Sequence, residues 1–158
     1  MSVLVIAFEC YENDFMHYPV EVALLNITEG FCYTYHINYS PDLMDRHPQM
    51  ARKNFAEHGL AITTGDFKFD WAMENMLEHV NEGCGCRNIL YVYNPAHKYR
   101  AEQYFRCHQV LECPPLPHGD DTHHDETCAL HKQRDPKFSC ARRRCFQAAA
   151  VIKKLRNV

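Results

Sequence analysis

The sequence predicts an α/β fold, a mixed sheet whose first three strands run antiparallel, with helices packed against its faces. Three observations predict it. Residues 3–8 are an unbroken apolar, β-branched run, the pattern of a strand covered on both sides. Two more strand-like segments follow closely, joined by short turns. After them helical and extended patterns alternate to the end of the chain.

Residues 11–17, polar and carrying Asn13-Asp14, read as the first turn. Residues 20–27 form the second strand, Glu29-Gly30 a tight turn, and residues 31–37 an alternating third, which together make a meander. Residues 41–47 are loop. Residues 48–58 are helical, with Pro48 in the first turn and Gly59 just past the end. Asp66 is the expected cap of a helix reaching about Glu82. Its Phe69, Ala72, Met73, Met76, Leu77 and Val80 fall on one stripe at i, i+3, i+4, i+7, i+8 and i+11. Residues 89–93 are another buried strand, broken by Asn94-Pro95, and residues 98–108 are helical. Val110 and Leu111 make a short last strand, and residues 114–126 form a loop rich in Pro, Gly, Asp and His. The final helix runs from Ser139, its expected N-cap, to Leu155, with Ala141, Cys145, Ala148, Ala149, Ile152 and Leu155 facing inward. No repeat or linker divides this succession, so residues 1–158 are expected to form a single domain.

Composition agrees. The chain has 158 residues, 46 % of them apolar and 12 % aromatic, enough to bury a core without disulfides. No apolar run approaches the roughly 18–20 residues of a membrane span. The opening residues lack a basic segment and read as a strand rather than a secretion signal. Nine cysteines and eleven histidines stand out. In a reducing compartment such cysteines are metal ligands or free core thiols more often than disulfides.

The densest concentration of metal-ligating side chains is Cys128-x2-His131-x8-Cys140, three donors within thirteen residues. A tetrahedral shell needs a fourth. Cys107, Cys113, His123 and His124 are competing donors, Cys84-Gly-Cys86 is a second candidate pair, and ordinary buried thiols are the plain alternative. A Cys128–His131 nucleophilic pair is less apt, because thiol enzymes bring their histidine from elsewhere in the chain. Net charge is −3, but Arg142, Arg143, Arg144, Lys153, Lys154 and Arg156 crowd the last seventeen residues. Residues eleven apart on a helix return to within about 20°, so Arg142 and Arg143 align with Lys153 and Lys154. That basic stripe suits a phosphate backbone, and equally a solvated helix whose cations oppose its dipole. Tyr91, Tyr93, Tyr99, Tyr104 and Phe105 are either stacking surfaces for bases or core.

These features together resemble a known family. Residues 18–25 (Tyr-Pro-Val-Glu-Val-Ala-Leu-Leu), the Glu29-Gly30 turn and residues 35–38 (Tyr-His-Ile-Asn) are similar to the opening of DEDD exonuclease-like domains, and His58-Gly59-Leu60 sits where those carry a histidine after their first helix. The Cys128-x2-His131-x8-Cys140 spacing narrows the resemblance to the Maelstrom domain, over about residues 3–152. The resemblance implies an RNase H-like fold, with a structural Zn²⁺ held by Glu21, Cys128, His131 and Cys140 and pinning the C-terminal helix. It implies a single-stranded RNA partner, silencing-pathway proteins as further partners, a place in piRNA-mediated transposon silencing in the germline, and location in perinuclear cytoplasmic granules and the nucleus. The RNA-binding residues would be Arg142, Arg143, Lys153 and Lys154. The chain departs from the exonuclease pattern at Ala7-Phe8-Glu9, where the family has Asp-x-Glu. Asp70 and Glu102 offer acids without a motif, so a conventional exonuclease is not expected and no catalytic residue is assigned. A metal-independent single-stranded RNA endonuclease and a protein-interaction adaptor are the alternatives.

Overall fold

Alternation along the first strand decides the layout of the chain. β1 (Val3–Glu12) sends Leu4, Ile6, Phe8 and Cys10 to one face and Val3, Val5 and Ala7 to the other, and both sets are buried. A strand buried on both faces belongs inside a sheet. β2 (His17–Asn26) pairs antiparallel along one side of it, and β3 (Phe31–His36) pairs antiparallel beyond β2. β4 (Ile89–Val92) runs parallel along the other side, with β5 (Gln109–Glu112) parallel to it. The order is β3-β2-β1-β4-β5. This computed structural model describes residues 1–82, 88–116 and 123–157.

Five helices complete the described chain: α1 (Asp42–Arg46), α2 (Pro48–His58), α3 (Phe69–Asn81), α4 (Lys98–Tyr104) and α5 (Ala141–Arg156). Ala72, Met76 and Val80 of α3, Ala101 of α4 and the following Phe105 cover the Leu4 face. The opposite face takes α5 through Ala141, Cys145, Ala148, Ala149 and Ile152. Four of those five are small, which lets the helix lie close enough for Cys145 Sγ to donate to the Ala23 carbonyl of β2 at 3.3 Å. A third cluster joins Tyr11, Val20, Met50, Leu60 and Ile62 beneath α2. No helix among the described residues is long and apolar enough to cross a membrane.

Several expectations are corrected. β1 and β2 extend to Glu12 and His17, so the first turn is shorter than the polar run 11–17 suggested. Residues 42–46 form α1 rather than loop. Asp66 does not cap α3, because Phe67 is drawn into a bridge with Ile37 and the helix starts at Phe69. Leu77 and Leu155, counted on apolar stripes, are exposed. Ser139 does not cap α5 either. Its hydroxyl donates to Glu9 Oε1 at 2.7 Å, while the free amide of Ala141 donates to Glu21 Oε1 at 2.5 Å. An ionised carboxylate is a stronger acceptor than a hydroxyl, and it lies at the positive end of the helix.

Gly59 is where local backbone and site geometry meet. It ends α2 in the left-handed region (φ +67°), its amide donating to Phe55 O at 2.7 Å. A β-carbon there would stand 2.5 Å from the Phe138 ring, two residues before Cys140. Gly59→Ala should therefore destabilise by about 2–4 kcal/mol, combining left-handed strain with overpacking. A urea midpoint unchanged from the parent would contradict this.

Candidate metal centre

Glu21 lies midway along β2 on the α5 face, fully buried. Cys128 and His131 sit on one tight turn, closed by the amides of His131 and Lys132 on the Cys128 carbonyl at 3.1 Å each. That turn brings Cys128 Sγ and His131 Nδ1 to 3.1 Å, as i, i+3 spacing on a helical turn does. Cys140 immediately precedes α5, and its sulfur accepts the Cys128 amide at 3.3 Å. Glu21 Oε2 closes the group, 2.9 Å from Cys128 Sγ and 3.3 Å from His131 Nδ1. All four donor atoms lie within 4.8 Å of one another, and all four residues are buried. The cluster could hold a metal ion.

The surroundings orient these donors. His131 Nε2 donates to the His58 carbonyl at 2.7 Å, which leaves Nδ1 for the cluster. His36 Nε2 lies 2.7 Å from Glu21 Oε2, and the Ala141 amide holds Oε1. Burial opposes ionisation of Glu21, but the hydrogen bonds from His131 and His36 outweigh it and hold the carboxyl well below the usual range. The Cys128 thiol donates to Glu21 Oε2, and its close contact with Cys140 draws the Cys140 pKa down against the effect of burial while pushing Cys128 far up. Burial disfavours the His131 cation, yet hydrogen bonds to Cys140 and Glu21 raise its pKa to about 10. Protons thus bridge a thiolate, a thiol, an imidazolium and a carboxylate in a buried pocket. A divalent ion can displace such protons.

His58, whose carbonyl anchors His131, is fully buried. Burial pushes its pKa down to about 4 despite a bond to the Cys10 carbonyl. Its Nδ1 accepts the Leu60 amide at 3.1 Å, so the neutral ring carries its proton on Nε2. The unfolded chain takes up a proton first as pH falls, so this contribution is complete above about pH 6.5 and is lost toward pH 4. The loss should reach about 3 kcal/mol. Nitrogen NMR of the histidines at pH 6 should show His58 as the neutral Nε2–H tautomer; a protonated ring there would contradict the assignment.

The four expected metal ligands are thus brought together. Of their rivals, Cys107, His123 and His124 are exposed and Cys113 packs in the α5-side core, while Cys84 and Cys86 lie outside the described residues. The basic stripe fares differently. Lys153 and Lys154 are exposed, and Arg142 is half-buried, 3.4 Å from Glu126 and over the Phe146 ring. Arg143 is only 2 % exposed and donates to the Phe138 carbonyl at 2.8 Å. This corrects its place on an open stripe: helical azimuth turns it away from the sheet, but the loop before α5 lies over it. Tyr91 and Phe105 are buried and Tyr93 and Tyr104 half-buried, leaving Tyr99 exposed among the expected stacking rings.

Glu9 is buried beside Ser139, with Arg144 Nη1 at 3.4 Å, and burial pushes its pKa up to about 7. Asp70 and Glu102 are exposed on helices of the opposite face. Among the described residues Glu9 belongs to no group of metal-ligating donors.

Sequence reading missed a second convergence, of Cys10, Glu12, His17 and His97. Part of it was readable: Cys10 and Glu12 share a face as i, i+2 on a strand, and a longer hairpin would have set His17 opposite Glu12. The position of His97, eighty residues further on, had no local signal. A scan against protein-family models and a search of curated proteins both found no match to this chain.

Proposed function

We propose that this chain is an RNase H-like binding module of the Maelstrom type, stapled by a structural zinc and carrying single-stranded RNA as its ligand. The observation that carries the proposal is the convergence of Glu21, Cys128, His131 and Cys140, the donor set that the resemblance names. Zinc bonds of about 2.0–2.3 Å at tetrahedral angles place donors about 3.3–3.8 Å apart. The contacts of 2.9, 3.1 and 3.3 Å, and the 4.8 Å limit on every pair, close on that shell with small shifts. Two sulfurs and an imidazole suit zinc rather than magnesium or calcium. Four protein ligands leave no open position, so the ion's work is structural. The strand order β3-β2-β1-β4-β5, with β4 and β5 parallel to β1, supports the RNase H-like assignment.

The RNA surface in this reading is the exposed end of α5, Lys153 and Lys154 with half-buried Arg142. Setting and partners, piRNA-guided silencing in perinuclear granules and the nucleus, follow from the resemblance. The test is fluorescence anisotropy with a labelled single-stranded oligoribonucleotide at several salt concentrations. Removing both charges, in Lys153→Ala/Lys154→Ala, should weaken binding and reduce the slope of log affinity against log salt by about 1.4. Equal affinity and equal slope for parent and variant would remove α5 from any RNA interface.

A further inference from the structure

We propose that Cys10, Glu12, His17 and His97 form a second metal site, on the sheet face opposite the first, which takes an exchangeable divalent transition ion such as Zn²⁺. The fold places these donors by regular geometry. Cys10 and Glu12 project from the same side of β1, and Glu12 faces His17 directly across the β1–β2 pairing. His97 ends the short helical turn Pro95–His97 after β4, the strand on the other side of β1. One donor atom from each residue lies within 4.8 Å of all the others. Cys10 Sγ is 3.4 Å from His17 Nε2, His17 Nε2 is 3.7 Å from Glu12 Oε2, and His97 Nε2 is 2.9 Å from Glu12 Oε1.

Both imidazoles aim the same nitrogen at one carboxylate, and the His17 ring is also held from behind, whereas His97 Nδ1 is buried without a hydrogen-bond partner. The Tyr104 hydroxyl sits 3.3 Å from His17 Nδ1, and the Phe8 ring meets both imidazoles edge-on at 5.8 and 5.7 Å. A hydrogen-bonded partner on the far ring nitrogen, such as His17 has, is the usual companion of a ligating histidine. Thiolate with two imidazoles selects a transition ion over magnesium or calcium.

Access separates this site from the first. The side chains of His17 and His97 are 4 % and 5 % exposed, whereas Glu12 is 34 % exposed. Glu12 also borders an open cavity of about 580 Å³, lined further by Asp14, Arg46, His47 and Lys53. Three donors are therefore sealed and the fourth stands at a solvent opening, through which an ion can enter and leave as the carboxylate swings. In the first site all four donor residues are buried, and His131 borders a cavity of about 420 Å³.

The test is metal stoichiometry on the full chain, using zinc with dialysis and cobalt as the absorbing probe. The parent should bind two equivalents, one of which a moderate chelator removes without unfolding. His97→Gln should lose that labile equivalent and keep the other; Cys140→Ser should do the reverse, so failure here and failure of the structural-zinc reading are distinct results. Glu12→Gln, at the exposed ligand, should keep the fold and weaken the labile site at least tenfold, about the least that perturbing a ligand shell costs. Metal stoichiometry and lability that His97→Gln leaves unchanged, or cobalt absorption unchanged in both His97→Gln and Glu12→Gln, would overturn the proposal.

Discussion

If the buried cluster holds the proposed zinc, Cys140→Ser should expel it and lower the melting temperature by about 10–15 °C. The magnitude follows from linkage: an ion at a free concentration about a thousandfold above its dissociation constant stabilises the folded state by about 4 kcal/mol. In a chain of this size each kcal/mol corresponds to about 2–4 °C. None of the three buried apolar clusters includes a residue of the donor set, so the domain should soften rather than lose all structure. Chelator should reproduce the effect on the parent and add nothing to the variant. Cys145→Ala is the control, since Cys145 is equally buried on α5 but lies in the core against Ala23 O rather than in the cluster. It should lose about 1–2 kcal/mol of packing and remain as sensitive to chelator as the parent. Should Cys140→Ser melt like the parent, and chelator leave both unmoved, the buried cluster holds no metal.

What could be read from the chain alone was whatever short-range physics controls. Alternation put Leu4, Ile6 and Phe8 opposite Val3, Val5 and Ala7, and Pro48 with Gly59 delimited α2 to the residue. The spacing of Cys128, His131 and Cys140 located three donors, because a turn and a helix start bring them together locally. Glu21 was different in kind: more than a hundred residues away, it came from resemblance and not from spacing. Tertiary competition governed the misses. Ser139 has the chemistry of a cap, but Glu9 takes its hydroxyl and Glu21 takes the helix amide. Arg143 points away from the sheet as periodicity requires, yet the loop ending at Phe138 covers it. The Cys10, Glu12, His17 and His97 group depends on the hairpin running to Glu12 and on the strand crossover that delivers His97.

Glu21→Gln combined with Cys140→Ser should cost little more than the worse of the two single changes. Glutamine keeps a carbonyl oxygen to accept the Ala141 amide, so the α5 cap survives and the change isolates the loss of charge at the ion. If both residues ligate one metal, the first substitution expels it and the second finds nothing left to lose. The cycle should then show coupling of about 4 kcal/mol, the ion's own contribution and more than contacting residues alone supply. Simple neighbours in a packed interior also couple, since Glu21 accepts from Cys128 and lies near His131. The metal is separated from packing by repeating the cycle in chelator, where the coupling should shrink to what the hydrogen-bonded network supplies, about 1 kcal/mol. Equal coupling with and without chelator would assign the staple between β2 and α5 to hydrogen bonds alone. A collapse of coupling in chelator would place one ion between a strand and a helix start 119 positions apart, making closure of the sheet against α5 depend on metal supply.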